Sequence, residues 1–285
     1  MPKHQFSHVT TWVFDLDNTL YPPHMRLFDQ IEKRMTGWVS RSLNVSTDQA
    51  NHLRATYWQL YGTTLAGLMA EHGIEPHDFL AHVHDIDFSV LSPDPALARH
   101  IAALPGRRIV YPNADAPYAR RVLAARGLDG LFDAVYGVEH AGFRPKPERQ
   151  AFETVFALDS LNPATAAMFE DDARNLMAPH AMGMRTIHIA PEAAPAPHIH
   201  HHSADLTDFL ARQFRAFVIE PLGLDRHPQL KDMYFGNYTK LVYLSQVEDE
   251  ALQQKAREAA DYLGLTYEYR FTGYGDLTGA LLSAR

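Results

Sequence analysis

Apolar positions along this chain fall into two alternating spacings. Val9, Trp12, Val13 and Phe14 make a short run of strand formers. Similar runs recur at 108–111 (RIVY), 134–138 (AVYGV), 165–169 (TAAMF) and 185–190 (RTIHIA). Between them, at 118–125, 148–156 and 172–182, apolar residues return at helical spacing. Strand and helix in alternation predict an α/β fold, a Rossmann-like parallel sheet with helices on its faces. One stretch departs from the alternation. After Tyr21 and the punctuating Pro22 and Pro23, Leu27, Ile31, Met35, Trp38 and Val39 keep helical spacing. Leu53, Tyr57, Leu60 and Tyr61 continue it, followed by Leu65, Leu68 and Met69. Residues from about 20 to 92 therefore read as a helical insertion placed directly after the first strand, with its Trp, Tyr and Met side chains as packing.

Past about residue 213 the pattern changes. Residues 240–244 (KLVYL) predict a strand. Leu252, Ala256, Ala259, Ala260 and Leu263 predict a helix stopped by Gly264. Leu265, Tyr267, Tyr269 and Phe271 alternate with polar residues, as in a half-exposed strand. Residues 276–282 predict a closing helix. Nothing in this tail groups residues that could carry catalysis.

Composition narrows the class. Hydrophobic residues make up 46% of the 285 and charged residues 21%, as in an ordinary soluble protein with a sizeable core. No apolar run reaches the roughly 18 residues of a membrane span. The opening MPKHQFSHVT lacks the apolar stretch of a secretory signal, so a cytoplasmic location is expected. Cysteine is absent, which excludes disulfides and thiol catalysis. A net charge of −8 argues against binding a nucleic-acid polymer, and a small anionic substrate would need local cations.

Polar residues sit where the strand-like runs end: Asp15 and Asp17, then Asn113, then Glu170 and Asp171. Open α/β sheets bind ligands outside the carboxyl ends of their strands, so these positions predict one site on one edge. Asp15 and Asp17, two apart on an extended backbone, project to the same side, and a divalent cation would relieve their repulsion. Any one of these acids could instead belong to a solvated turn. The run DLDNTLY together with the others argues for chemistry.

Residues 15–21, DLDNTLY, resemble the nucleophile motif of the haloacid dehalogenase-like (HAD) phosphohydrolases. The stretch from about 6 to 210 resembles their bacterial pyrimidine 5′-nucleotidase branch. The resemblance implies Asp15 as nucleophile, through an aspartyl-phosphate, and Asp17 as general acid and base. It implies Mg²⁺ held by Asp15, the backbone carbonyl of Asp17, and Asp171 with Glu170 from the motif FEDDARN. Lys146, in RPKPE, is implied to pair with the nucleophile and the phosphoryl group, and Asn113 to contact substrate. Asp172 reads as a cap of the following helix. The implied substrate is a pyrimidine nucleoside monophosphate such as UMP or CMP, with a phosphosugar as the alternative. Residues 1–19 and 93–211 would form the catalytic core, 20–92 a cap over the leaving group, and 212–285 an α/β extension. That extension is similar to the end of a family of uncharacterised bacterial proteins.

Two features stand apart. The family places Thr or Ser immediately before Asn113, whereas Pro112 is here and offers neither hydroxyl nor N–H. Losing one hydrogen bond to a charged group costs roughly 1.5–3 kcal/mol, about ten- to a hundredfold in rate. An impaired phosphatase is therefore expected, and a degenerate fold serving as a binding module is the competing reading. The run PHIHHH, with His198, His200, His201 and His202, follows several prolines and reads as a linker or surface segment rather than a metal site.

Overall fold

The computed structural model describes residues 6–219, 265–271 and 278–284. The chain divides into two units, Met1–Phe209 and Leu210–Arg285.

The first unit is built on β1 (Thr11–Phe14), flanked by β2 (Arg107–Val110) and β4 (Ala166–Glu170). With β3 (Ala134–Val135), β5 (Arg185–Ile189) and β6 (His201–Ser203) it forms a six-stranded sheet in the order β3-β2-β1-β4-β5-β6. Every pairing is parallel. β1 and β4 are buried along their whole length, which is why they read as continuous apolar runs. Side chains alternate across the sheet. Trp12 and Phe14 stack with Phe169 on one face, Phe14 and Phe169 at 4.7 Å between ring centres. Val13, Ile109 and Met168 join Phe152 and Phe156 in a core on the other.

The register places the site. Phe14 lies opposite Val110 on one side and Phe169 on the other. The next residues, Asp15, Tyr111 and Glu170, therefore reach the same edge of the sheet together. Asp15 N–H donates to Phe169 O at 2.9 Å and Tyr111 N–H to Phe14 O at 2.7 Å, so both chains stay paired up to that edge.

Between β1 and β2 lie α1 (Leu27–Leu43), α2 (Thr47–Tyr61), α3 (Thr64–His72), α4 (Pro76–Val83) and α5 (Pro95–Ala102). Ser46 opens α2 with a capping box, its hydroxyl accepting from Gln49 N–H and the Gln49 side chain accepting from Ser46 N–H. Leu27, Ile31 and Val39 of α1 are buried, and Trp38 meets Phe79 edge-on at 5.1 Å. Leu60, which keeps the helical spacing, is instead 71% exposed, and Trp58 of the same helix is 48% exposed. The remaining helices, α6 (Ala116–Ala125), α7 (Arg149–Asp159), α8 (Met177–Ala181) and α9 (Leu206–Ile219), follow the later strands. Among the described residues, no helix is long and apolar enough to cross a membrane.

Several expectations need correction. Residues 172–182 are not one helix: Asp172 caps a 3-10 turn, Ala173–Leu176, and α8 follows it. The His-rich segment is not only a linker, since His201–Ser203 pairs with β5 as the edge strand β6. In the second unit, β7 (Leu265–Phe271) is the expected alternating strand. The helix expected at 276–282 is instead β8 (Thr278–Ala284), antiparallel to β7, because a strand ending at 271 supplies an adjacent hairpin partner. The strand expected at 240–244 and the helix through 252–263 lie outside the described residues.

Candidate active site

At the carboxyl edge of β1 and β4, Asp15, Lys146 and Glu170 are buried, Lys146 and Glu170 each 1% exposed. The Lys146 ammonium donates to Asp15 Oδ1 and to Glu170 Oε2, both at 2.7 Å. Burial works against a charged lysine here, but Asp15 and Glu170 outweigh it and push its pKa up, so the ammonium persists. Burial, then Asp15, pushes the Glu170 carboxyl up. Burial, then Asp15 and Glu170, raises Asp171 well above the usual carboxylate range. One lysine thus leaves negative charge in excess. Asp15, Glu170 and Asp171 can each present an oxygen, all within 4.8 Å of one another, a donor set that fits a hard divalent cation.

The backbone around Lys146 is tightly held. Lys146 N–H donates to Asn113 Oδ1 at 2.7 Å, and Asn113 Nδ2 donates to Lys146 O at 3.0 Å. Asn113, expected to face substrate, thus has both ends of its amide engaged by the lysine. The Lys146–Pro147 peptide is cis. The ammonium lies 5.5 Å from the centre of the Tyr111 ring. From the helical insertion, Gly62 (φ +84°) closes on this loop, where a Cβ would come 3.1 Å from Lys146 O. Pro112 is buried beside Asn113.

Asp17 is bound differently from Asp15. The hydroxyls of Tyr21 and Tyr118 both donate to its Oδ1, each at 2.7 Å. Burial first, then Asp15, raises its pKa, and the two tyrosine bonds only partly offset this. Tyr118 is stacked on His84 at 4.2 Å, and His84 Nδ1 lies 3.1 Å from Asp115 Oδ1. Asp115 also caps α6, accepting from Tyr118 N–H at 3.0 Å. Burial opposes the charged form of Asp115, but the bond to His84 and its charge prevail and hold the carboxyl below its usual range. The Asp115 carboxylate is thus held by the His84 ring and the first-turn amide of α6.

The residues after β4 are held from both sides. Asn18 Nδ2 donates to Asp171 Oδ2 at 3.2 Å, from a left-handed backbone (φ +59°) that Asn tolerates. His188 Nε2 lies 2.8 Å from the Asp171 carbonyl oxygen. Asp172 caps the next turn through Arg174 N–H at 3.0 Å and also grips the Arg174 guanidinium at 2.6 Å. That guanidinium lies 3.6 Å from the ring centre of Trp58 on α2, joining the insertion to the site's rim.

Asp15, Lys146, Glu170 and Asp171 thus meet, with Asp17 in the turn that follows β1. Tyr21, Tyr118, His84 and His188 were not foreseen as part of the site. For the tyrosines a signal existed, because a buried Tyr hydroxyl requires a partner. His84 and His188 carry no such sign in the sequence.

A family model described as haloacid dehalogenase-like hydrolase matches residues 9–183. A second, described as Protein of unknown function (DUF1638), matches residues 204–281. Phosphate metabolism protein 8 of Saccharomyces cerevisiae is 27% identical over 195 residues, 62% of this chain. The chain spans 60% of the length of that relative. Among solved structures, a HAD phosphatase from Thermococcus onnurineus is 15% identical with a TM-score of 0.49, over 72% of this chain and 98% of that one. The L-2-haloacid dehalogenase of Xanthobacter autotrophicus is 18% identical with a TM-score of 0.47, over 71% and 97%.

Proposed function

Because this chain belongs to the haloacid dehalogenase-like hydrolase family, we propose that it hydrolyses a phosphomonoester through an aspartyl-phosphate on Asp15. The observation that carries this reading is the Lys146 ammonium between Asp15 and Glu170, beside Asp171. Phosphate esters resist hydrolysis because anions must approach anions, and a buried cation beside a carboxylate lowers that barrier.

In the first step an Asp15 oxygen attacks phosphorus and the bond to the ester oxygen breaks. Asp17, whose burial favours its protonated form, gives its proton to the departing oxygen. In the second, water attacks the phosphoryl group and loses its proton to the Asp17 carboxylate. The bond from phosphorus to Asp15 breaks, orthophosphate leaves, and both carboxyl groups return to their starting states. Mg²⁺, held by Asp15, the Asp17 carbonyl, Asp171 and Glu170, would supply further positive charge at the phosphoryl oxygens. Glu170 also anchors Lys146, and Asn113 acts on the substrate through the Lys146 backbone.

Residues 20–92 act as the cap over the leaving group, on a core of 1–19 and 93–211, with 212–285 an extension. A pyrimidine nucleoside monophosphate is the substrate this reading favours, in a cytoplasmic setting that suits a chain without cysteine. Pro112 favours a second reading, a degenerate binding module. Phosphate release from UMP, with and without Mg²⁺ and with Asp15→Asn as blank, decides between them. Turnover that needs both Mg²⁺ and Asp15 supports the hydrolase; no such turnover on any phosphomonoester supports the module.

A further inference from the structure

We propose that Tyr21 and Tyr118 are a positioning pair that turns the Asp17 carboxyl so that Oδ2, not Oδ1, carries the transferred proton. The inference rests on the phosphohydrolase reading above and adds to it which oxygen acts and what holds it.

The geometry is specific. Both phenol hydroxyls donate to one oxygen, Oδ1, at 2.7 Å each, and neither uses Oδ2. A carboxyl oxygen has two lone pairs, so two donors fill Oδ1 and leave Oδ2 as the place for a proton. Two bonds to the same oxygen also restrain the carboxyl from turning about its last side-chain bond. The donors come from separate elements, Tyr21 from the turn after β1 and Tyr118 from the first turn of α6. Both residues are fully buried, so each hydroxyl must find its partner inside the protein, and Asp17 Oδ1 serves both.

Tyr118 is itself fixed by the end of the helical insertion. His84, which follows α4, stacks on its ring, and Arg121 Nη2 donates to His84 O at 2.9 Å. Phe88, just beyond, tilts against the same ring at 6.0 Å. If these tyrosines served packing alone, removing their hydroxyls would alter stability without regard to the ester being cleaved. A positioning role predicts a dependence on the leaving group.

The test compares Tyr21→Phe, Tyr118→Phe and Asp17→Asn with the unaltered full-length protein in Mg²⁺. Each is assayed on two alkyl esters, UMP and glycerol phosphate, and on p-nitrophenyl phosphate, whose leaving group departs without a proton. A general acid supplies about 10²–10⁴ in rate, so each Tyr→Phe change should lower kcat/KM, which reports the ester-cleaving step alone, about tenfold more on the alkyl esters than on the aryl ester. Asp17→Asn should give the largest split, and adding Tyr118→Phe to it should widen the split no further. The ratio is taken within one sample, so it does not depend on how much of a variant is folded. Equal losses on all esters, or an unchanged ratio, would overturn the proposal. So would an unaltered enzyme that cleaves the aryl ester alone. Absence of any Mg²⁺- and Asp15-dependent turnover in the unaltered protein would instead remove the phosphohydrolase reading.

Discussion

The Lys146 ammonium stands 2.7 Å from Asp15 Oδ1, a pair 131 positions apart in the chain and buried at the end of the central strand. Removing one partner of such a pair leaves an uncompensated charge, at about 3–5 kcal/mol. Lys146→Met should therefore lower the unfolding free energy by that order in a denaturant titration, and abolish most turnover. Combining it with Glu170→Gln should recover part of the stability and none of the activity, since Glu170 is the second carboxylate left unpaired.

Pro112→Thr should raise kcat/KM about ten- to a hundredfold by restoring one hydroxyl donor near the phosphoryl group. Steady-state kinetics on UMP check this. An unchanged or lower value would mean that Pro112 is not the cause of a weak activity.

Mg²⁺ should stabilise the fold as well as activate it, because it would relieve the repulsion among Asp15, Glu170 and Asp171. At a hundred times its Kd the gain is about 2.7 kcal/mol, or about 5–10 °C in melting temperature for a unit of this size. A thermal melt with Mg²⁺, then with EDTA, reads it directly. Asp171→Asn should shrink the shift, whereas a shift that survives this change would place the ion elsewhere.

His201 should make the fold sensitive to acid. Burial first, then Arg185 and His200, push its pKa down to about 4. Its ring lies 5.1 Å from Phe6 and 5.9 Å from Phe209, and its Nε2 is buried without a partner. The unfolded chain takes up this proton near pH 6.5 and the folded one only near 4. The stabilisation is therefore complete above about pH 6.5 and is lost as pH falls toward 4. Unfolding titrations of the protein and of His201→Leu across that range should diverge only in the acid part.

The sheet was legible because its central strands are apolar on both faces and each ends in a polar residue, as with Phe14 before Asp15 and Phe169 before Glu170. The meeting of Asp15, Lys146 and Glu170 followed from that placement and from the resemblance of their motifs. What stayed hidden depends on neighbours distant in sequence. The role of Tyr118 is fixed by Asp17, 101 residues earlier, and no local periodicity reports such a bond. The short strand His201–Ser203 is polar at all three of its positions and exists because β5 offers an open edge. The strand Thr278–Ala284 likewise follows from its partner rather than from its own residues.

The turn at Gly62 rests against the carbonyl of the very residue that carries the ammonium. A rearranged helical segment must therefore still bring a bare backbone to that spot. Changes of ester preference arising between residues 27 and 83 should accordingly spare Gly62 at the α2–α3 junction.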